Sequence, residues 1–257
     1  MDRFLGRLRP RIVVGGMPKS GTTALARLLG EASGLDVNSD PFHRLDRKGV
    51  VFRDALFGGE LSIERLLAEH RATFRGGLVK DPNFPFFLTE LLRLFPSAGF
   101  VFIVRDPRAN VRSILNRLDL PGRPDEADDR PTNVSDTWRR VLEGRTPDVE
   151  CRDYVHCAVE RWRITTAAYR RHADRVTLVR YEDFNRDKPG VVKATLAGLG
   201  IPGDRPIDHL VDRQFQPRGD RTVSWAEFFG PERLAAIERR CAEEMKALGY
   251  TATEQGM

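Results

Sequence analysis

The eight residues Gly16-Met17-Pro18-Lys19-Ser20-Gly21-Thr22-Thr23 constrain this chain more than any other stretch. They lie between a β-branched run, Arg11–Gly16, and a segment, Thr22–Ser33, whose residues Ala24, Leu25, Leu28 and Leu29 fall at helical spacing. A short apolar run that ends in glycine reads as a buried parallel strand. The glycines let backbone N–H groups approach the oxygens of an anion, and the helix start that follows adds the positive end of its dipole. Strand, glycine loop and helix in that order predict a phosphate cradle. The plain alternative, a glycine turn that only caps a helix, is disfavoured by those flanking elements.

The lysine narrows the choice of ligand. In loops that hydrolyse nucleoside triphosphates it directly follows the second glycine, where it reaches the β- and γ-phosphates. Here Thr22 holds that place, and the loop's lysine is Lys19, two residues before Gly21. From there it sits beside a 5′-phosphate and its distal bridging oxygen. That favours a donor with a short phosphate-linked leaving group.

Downstream, Gly77–Lys80 is a second apolar run that stops before Pro82, and Phe86–Phe95 reads as helix. Gly99–Arg105 is the strongest central strand; Asp106-Pro107 ends it, with proline suited to the first turn of a helix over Arg108–Leu118. Leu120–Pro131, rich in proline, glycine and aspartate, predicts a mobile loop. Ser135–Leu142 and Asp153–His172 have helical spacing, Arg175–Tyr181 is a further strand, and Val191–Leu199 and Pro231–Leu248 are the last helices. Ile201–Gly230 lacks periodicity. Strands alternating with helices predict an α/β fold over residues 1–257 as a single domain, three-layered, its mostly parallel sheet covered by helices on both faces. Ligands bind such sheets beyond the carboxyl ends of the strands, where the loop falls.

The string P-K-S-G-T-T after a first strand resembles the 5′-phosphosulfate loop of sulfotransferases that use 3′-phosphoadenosine-5′-phosphosulfate (PAPS). The resemblance implies the P-loop NTPase-like sulfotransferase fold, with Pro18, Lys19, Ser20, Gly21, Thr22 and Thr23 on the donor. Backbone groups of Lys19–Thr23 and the two threonine hydroxyls would hold the phosphosulfate, and Lys19 would neutralise the bridging oxygen as the bond to sulfur breaks. The strand FVFIVR followed by DPRANVRS is similar to the family's 3′-phosphate segment, with Arg105 at the strand end and Ser113 eight residues on. A surface ion pair with Asp106 is the alternative for Arg105, and Arg108 and Arg112 read as solvated helix residues. Gln216-Pro217-Arg218-Gly219, with Trp225 following, resembles the family's loop over the 3′-phosphate, with Arg218 and Gly219 as its contacts. Tyr181 sits where the family often places an adenine-side contact, or simply anchors a strand end.

Sulfuryl transfer needs cations at the leaving group and a base near the acceptor, and calls for no metal. Lys80, in Lys80-Asp81-Pro82-Asn83-Phe84, resembles the K-x-P-x-[FY] lysine of the carbohydrate or Golgi-type branch, which implies a place near the transferring sulfonate. The cytosolic branch carries a histidine two residues after that lysine; here the place holds Pro82. Asn38-Ser39-Asp40-Pro41-Phe42-His43 lies where the other branch has its glutamate, so Asp40 is the favoured base, with His43 and Asp81 as alternatives. The resemblance therefore leans to the bacterial and carbohydrate side.

Bulk properties set the remaining expectations. With 40% apolar and 31% charged residues the chain reads as globular, and no apolar run is long enough to span a bilayer. The net charge of +5 is carried mostly by arginine mixed with carboxylates, which suits a polyanionic small ligand better than nucleic acid. Three cysteines, Cys151, Cys157 and Cys241, form no metal-ligand pattern and read as ordinary thiols in a cytoplasmic, reducing setting. The acceptor is expected to be a sugar, a glycolipid or a bacterial natural product, handled by a monomer or homodimer, with PAP as the product. The rival classes are a P-loop kinase or NTPase and an inactive nucleotide-binding module.

Overall fold

The computed structural model describes residues 8–123, 138, 142, 151–215 and 222–252. They fall into two compact units, Met1–Val104 with Ala168–Gln216, and Arg105–Ala167 with Pro217–Met257.

The first unit holds a five-stranded parallel sheet in the order β2-β3-β1-β4-β5. Its strands are β1 (Ile12–Gly16), β2 (Val37–Ser39), β3 (Leu78–Lys80), β4 (Gly99–Val104) and β5 (Val176–Arg180). Between β1 and β2 runs α1 (Thr22–Ser33); between β2 and β3 come α2 (Pro41–Arg47), α3 (Arg53–Phe57), α4 (Ile63–Glu69) and α5 (Arg71–Phe74). A 3₁₀ turn, Phe84–Phe87, and α6 (Leu88–Leu94) join β3 to β4. Side chains alternate across each strand, as a pleat requires. Ile12, Val14, Val101, Ile103 and Val179 face one core with Leu25, Leu28 and Leu29 of α1. Phe102 presents its ring on the opposite side, where Tyr169 stacks on it at 5.2 Å.

The chain leaves β1 towards β2 and leaves β4 in the other direction. The switch point, where such sheets take ligands, is therefore the crevice between the ends of β1 and β4. Gly16 ends β1 there, in register with Ile103 of β4. A Cβ on Gly16 would stand 2.3 Å from the Ile103 carbonyl oxygen, so only glycine lets the two strands approach.

The second unit begins at Arg105 and contains α7 (Pro107–Leu118) and α8 (Tyr154–Arg170) as far as Ala167. Past β5, within the first unit, follow α9 (Tyr181–Arg186), α10 (Lys188–Gly198) and α11 (Asp208–Val211). The second unit closes with α12 (Trp225–Phe229), α13 (Pro231–Arg240) and α14 (Ala242–Ala247). Pro107 occupies the first turn of α7 as expected, and the Asp106 carboxylate caps that helix through the Arg108 N–H.

Several expectations need correction. Phe86–Phe95 is not one helix, because the FPFF turn is 3₁₀ before α6 starts. Pro231–Leu248 is two helices parted at Cys241. Ile201–Gly230 contains the short helices α11 and α12, the latter with a Ser224–Glu227 capping box. Cys151 and Cys157 form a disulfide, and Cys241 is a buried free thiol that burial pushes above its ordinary pKa. Most of the Leu120–Pro131 loop and of Ser135–Leu142 lies outside the described residues.

Candidate active site

The loop from Met17 to Gly21 takes left-handed backbone at two places, Lys19 and Gly21. Lys19 has φ 66°, a region that few non-glycine residues occupy, and Gly21 has φ 89°. The Ser20 N–H donates to the Met17 carbonyl at 3.2 Å, closing the turn. Gly21 is the N-cap of α1, and no acidic residue stands in the first turn of that helix, so its positive end meets no carboxylate there. Ser20 and Thr22 are buried, while Pro18, Lys19 and Thr23 are half-buried. A Cβ on Gly21 would come within 2.8 Å of the Tyr181 ring, so the structure brings Tyr181 against the loop.

One strand over, β3 delivers Lys80, in register with Val14 of β1 and Ser39 of β2. Lys80 is 2% exposed, and its ammonium donates to both oxygens of Asp40, at 2.8 and 3.1 Å. Asp40 is the N-cap of α2 in left-handed backbone, φ 53° and ψ 53°, and its N–H donates to the Lys80 carbonyl at 2.8 Å. The carboxylate is more accessible than the lysine, its side chain being 37% exposed. His43 is exposed on α2, and among the described residues no hydrogen bond links it to Lys80 or Asp40.

Asp81, the other candidate base, is buried. Burial raises its pKa, the charge of Asp40 adds to the rise, and the N–H donors of Asn83 and Phe42 only partly offset it. Sequence reading missed that its carboxylate is an anchor for the start of α2. The Asp-Pro-Asn turn that Asn83 closes on it was the available signal.

In the second unit Arg105 is buried, and its carbonyl accepts the Trp162 indole N–H at 2.9 Å. Asp106 is engaged by Arg108 at 2.6 and 3.0 Å. Arg108 is not a solvated helix residue. It is 4% exposed, bonded also to Glu238 and the Thr251 carbonyl, and stacked over Trp225 at 4.2 Å. Burial opposes its charge, and the two carboxylates outweigh it and raise its pKa. Arg112 donates to the Val223 carbonyl, so it too is tied to the segment before α12. Ser113 is half-buried on α7, and Arg218 and Gly219 lie outside the described residues. A cavity of about 1530 Å³ in this unit, lined by Cys151, His156, Glu160, Arg233 and Arg240 among others, contains none of the expected site residues.

A parallel α/β sheet with a glycine loop at its switch point and a buried lysine beside it defines an anion-handling nucleotide fold. A profile described as the sulfotransferase family matches residues 52–205, more than half of the sequence. The chain belongs to the sulfotransferase family. Human protein-tyrosine sulfotransferase 1 is 31% identical over 127 residues, 42% of this chain and 34% of the human one. A putative protein-tyrosine sulfotransferase of Caenorhabditis briggsae is 25% identical over 131 residues, 44% of this chain and 46% of that one. The matches thus span between a third and a half of these relatives' length.

Among solved structures, a sulfotransferase from Alicyclobacillus acidocaldarius superposes with a TM-score of 0.54 at 17% identity, covering 95% of this chain and 97% of that one. Mouse sulfotransferase SULT7A1 complexed with PAP gives 0.52 at 16% identity, covering 95% and 89%. These likenesses establish the fold.

Proposed function

We propose that the protein transfers a sulfuryl group from PAPS to a hydroxyl or amine of an acceptor and releases PAP. The observation that carries this reading is the Lys80–Asp40 pair at the strand ends beside the glycine loop, a buried cation bonded to an accessible carboxylate. The residues fit the donor. Gly16 and Gly21 stand where a Cβ would strike the Ile103 carbonyl and the Tyr181 ring, the first turn of α1 holds no acid, and Lys19 takes left-handed backbone.

PAPS supplies the activated sulfuryl group. In this reading Lys19 and the amide groups of the loop hold the 5′-phosphosulfate, and Lys80 steadies the oxygens around sulfur. Asp40 takes the proton of the acceptor as the acceptor oxygen or nitrogen attacks in line, and the electron pair of the breaking S–O bond leaves with the phosphate. Arg105 and Ser113 take the 3′-phosphate that separates PAPS from ATP, Tyr181 packs at the adenine side, and Arg218 and Gly219 complete the grip. No step calls for a metal.

For the acceptor we favour a sugar, glycolipid or other small molecule of bacterial natural-product type. The relatives named for protein tyrosine make a tyrosyl peptide the necessary comparison. The cytoplasmic setting is likewise a proposal, and it requires Cys151 and Cys157 to be reduced in the cell although they are paired here: their alkylation in intact cells supports it, and a disulfide that resists alkylation overturns it. The deciding experiment incubates the protein with PAPS and these acceptors and follows PAP release and the mass gain of one SO₃. Turnover of ATP with magnesium, and none of PAPS, would overturn the reading.

A further inference from the structure

We propose that Asp81 is a positioning residue for the transfer: it ties the start of α2 to the β1–β3 platform and so fixes the Asp40 carboxylate against Lys80. The inference rests on Asp40 being the base in the reaction proposed above.

Asp81 directly follows β3, and its N–H donates to the Val14 carbonyl of β1 at 3.2 Å, which makes its backbone part of the sheet. Its side chain reaches away from the ladder. One carboxylate oxygen accepts the Phe42 N–H at 3.0 Å; the other accepts the backbone and side-chain N–H groups of Asn83 at 2.9 and 2.7 Å. Three N–H donors and 1% exposure leave no room for an acceptor hydroxyl, so Asp81 is not itself the base.

Phe42 is the second residue of α2, two past Asp40. Asp40 stands in left-handed backbone, which persists only where the surroundings over-determine it. Here both flanks are held by consecutive residues: the Lys80 carbonyl takes the Asp40 N–H, and the Asp81 carboxylate takes the Phe42 N–H beyond the rigid Pro41. What Asp81 holds is also stiff. The Phe42 ring is fully buried, edge-on to Phe52, Phe74 and Phe84 at 5.4, 5.8 and 6.0 Å. A buried carboxylate beside another carboxylate is costly to keep, and this anchor is what the geometry shows it doing.

The test is a kinetic cycle on the full chain with Asp40→Asn, Asp81→Asn and the double variant, with PAP binding measured by calorimetry. In Asp81→Asn the new amide sets an N–H₂ group against one of the N–H donors. We expect kcat to fall about a hundredfold while the KM for PAPS and the Kd for PAP stay unchanged. Because the effect passes through Asp40, the double variant should turn over no slower than Asp40→Asn alone. An additive loss, or wild-type kcat in Asp81→Asn, overturns the positioning role. Full activity in Asp40→Asn overturns the premise instead, which tells the two failures apart. Should Asp81→Asn not fold, Asn83→Ala removes the side-chain donor that steadies the other oxygen of Asp81, so that the carboxylate holds the Phe42 N–H less firmly, and enters the same cycle. A kcat loss that vanishes in the Asp40→Asn background supports the role, and one that persists there overturns it.

Discussion

Lys19 carries a backbone cost that a glycine in its place would not. Left-handed backbone costs a non-glycine residue about 1–2 kcal/mol, and the residue type here is the loop's only lysine. Lys19→Gly should therefore be more stable than the wild type by about 1 kcal/mol in urea unfolding, and Lys19→Ala should not. Both should lose about a hundredfold or more in kcat, since in the proposed reaction each removes the cation at the leaving oxygen. Wild-type kcat in Lys19→Gly would take Lys19 out of the chemistry.

Glu160 offers a second test at this scale. Burial pushes its pKa up, and hydrogen bonds from Arg240 and Arg163, with their charges, outweigh burial and leave it below the ordinary carboxylate value. A depressed carboxylate pKa means stability that is present above the unfolded-state value and lost as pH falls through the folded one. Arg163 and Arg240 are partly exposed, so screening holds the loss in Glu160→Gln at pH 7 to about 1–2 kcal/mol. That gap from wild type should close in acid, and a gap unchanged with pH in urea titrations would contradict it. Lys19, Lys80 and Asp40 were legible because each sits in a short local pattern. Arg108 was not, because Glu238 and Thr251, which hold it buried, are remote in sequence.

At the scale of elements, the loop between β1 and α1 depends on what glycine permits. Gly21→Ala faces two obstacles at once, a φ of 89° and the Tyr181 ring 2.8 Å from the new Cβ. We expect a loss of about 2 kcal/mol in stability, and weaker PAP binding because the ring or the loop must move. An unaltered Kd for PAP in calorimetry would separate Tyr181 and the cap from donor binding. The long elements were readable for physical reasons: β1 and β4 are nearly continuous apolar runs, and α1 and α7 keep helical spacing behind glycine or proline starts. The helices α2 to α5 were not, since four to seven residues carry too few turns for a period to show. The start of α2 depends on a carboxylate 39 residues away in sequence.

At the scale of the whole molecule, alternation of strands and helices was enough to read a parallel α/β sheet, but the division into two units left no trace in the sequence. The chain passes between units three times: at Val104–Arg105, directly after β4, at Ala167–Ala168, inside α8, and at Gln216–Pro217, outside the described residues; the first two passages are marked by no linker. The donor reading gives different residues different tasks, the 5′-phosphosulfate to the loop after β1 and the 3′-phosphate to Arg105 and Ser113. That division can be tested by thermal unfolding with nucleotides. A ligand that binds only the folded protein stabilises it by about 2.7 kcal/mol at a hundredfold excess over its Kd. For a protein of this size that corresponds to roughly 5–10 °C in Tm. PAP should produce such a shift, and AMP at the same concentration a smaller one, because it lacks the 3′-phosphate. Arg105→Ala should shrink the PAP shift towards the AMP value while leaving the AMP shift in place. If PAP stabilises Arg105→Ala as strongly as wild type, the 3′-phosphate is held by other residues, and Arg105 loses its assigned part in donor recognition.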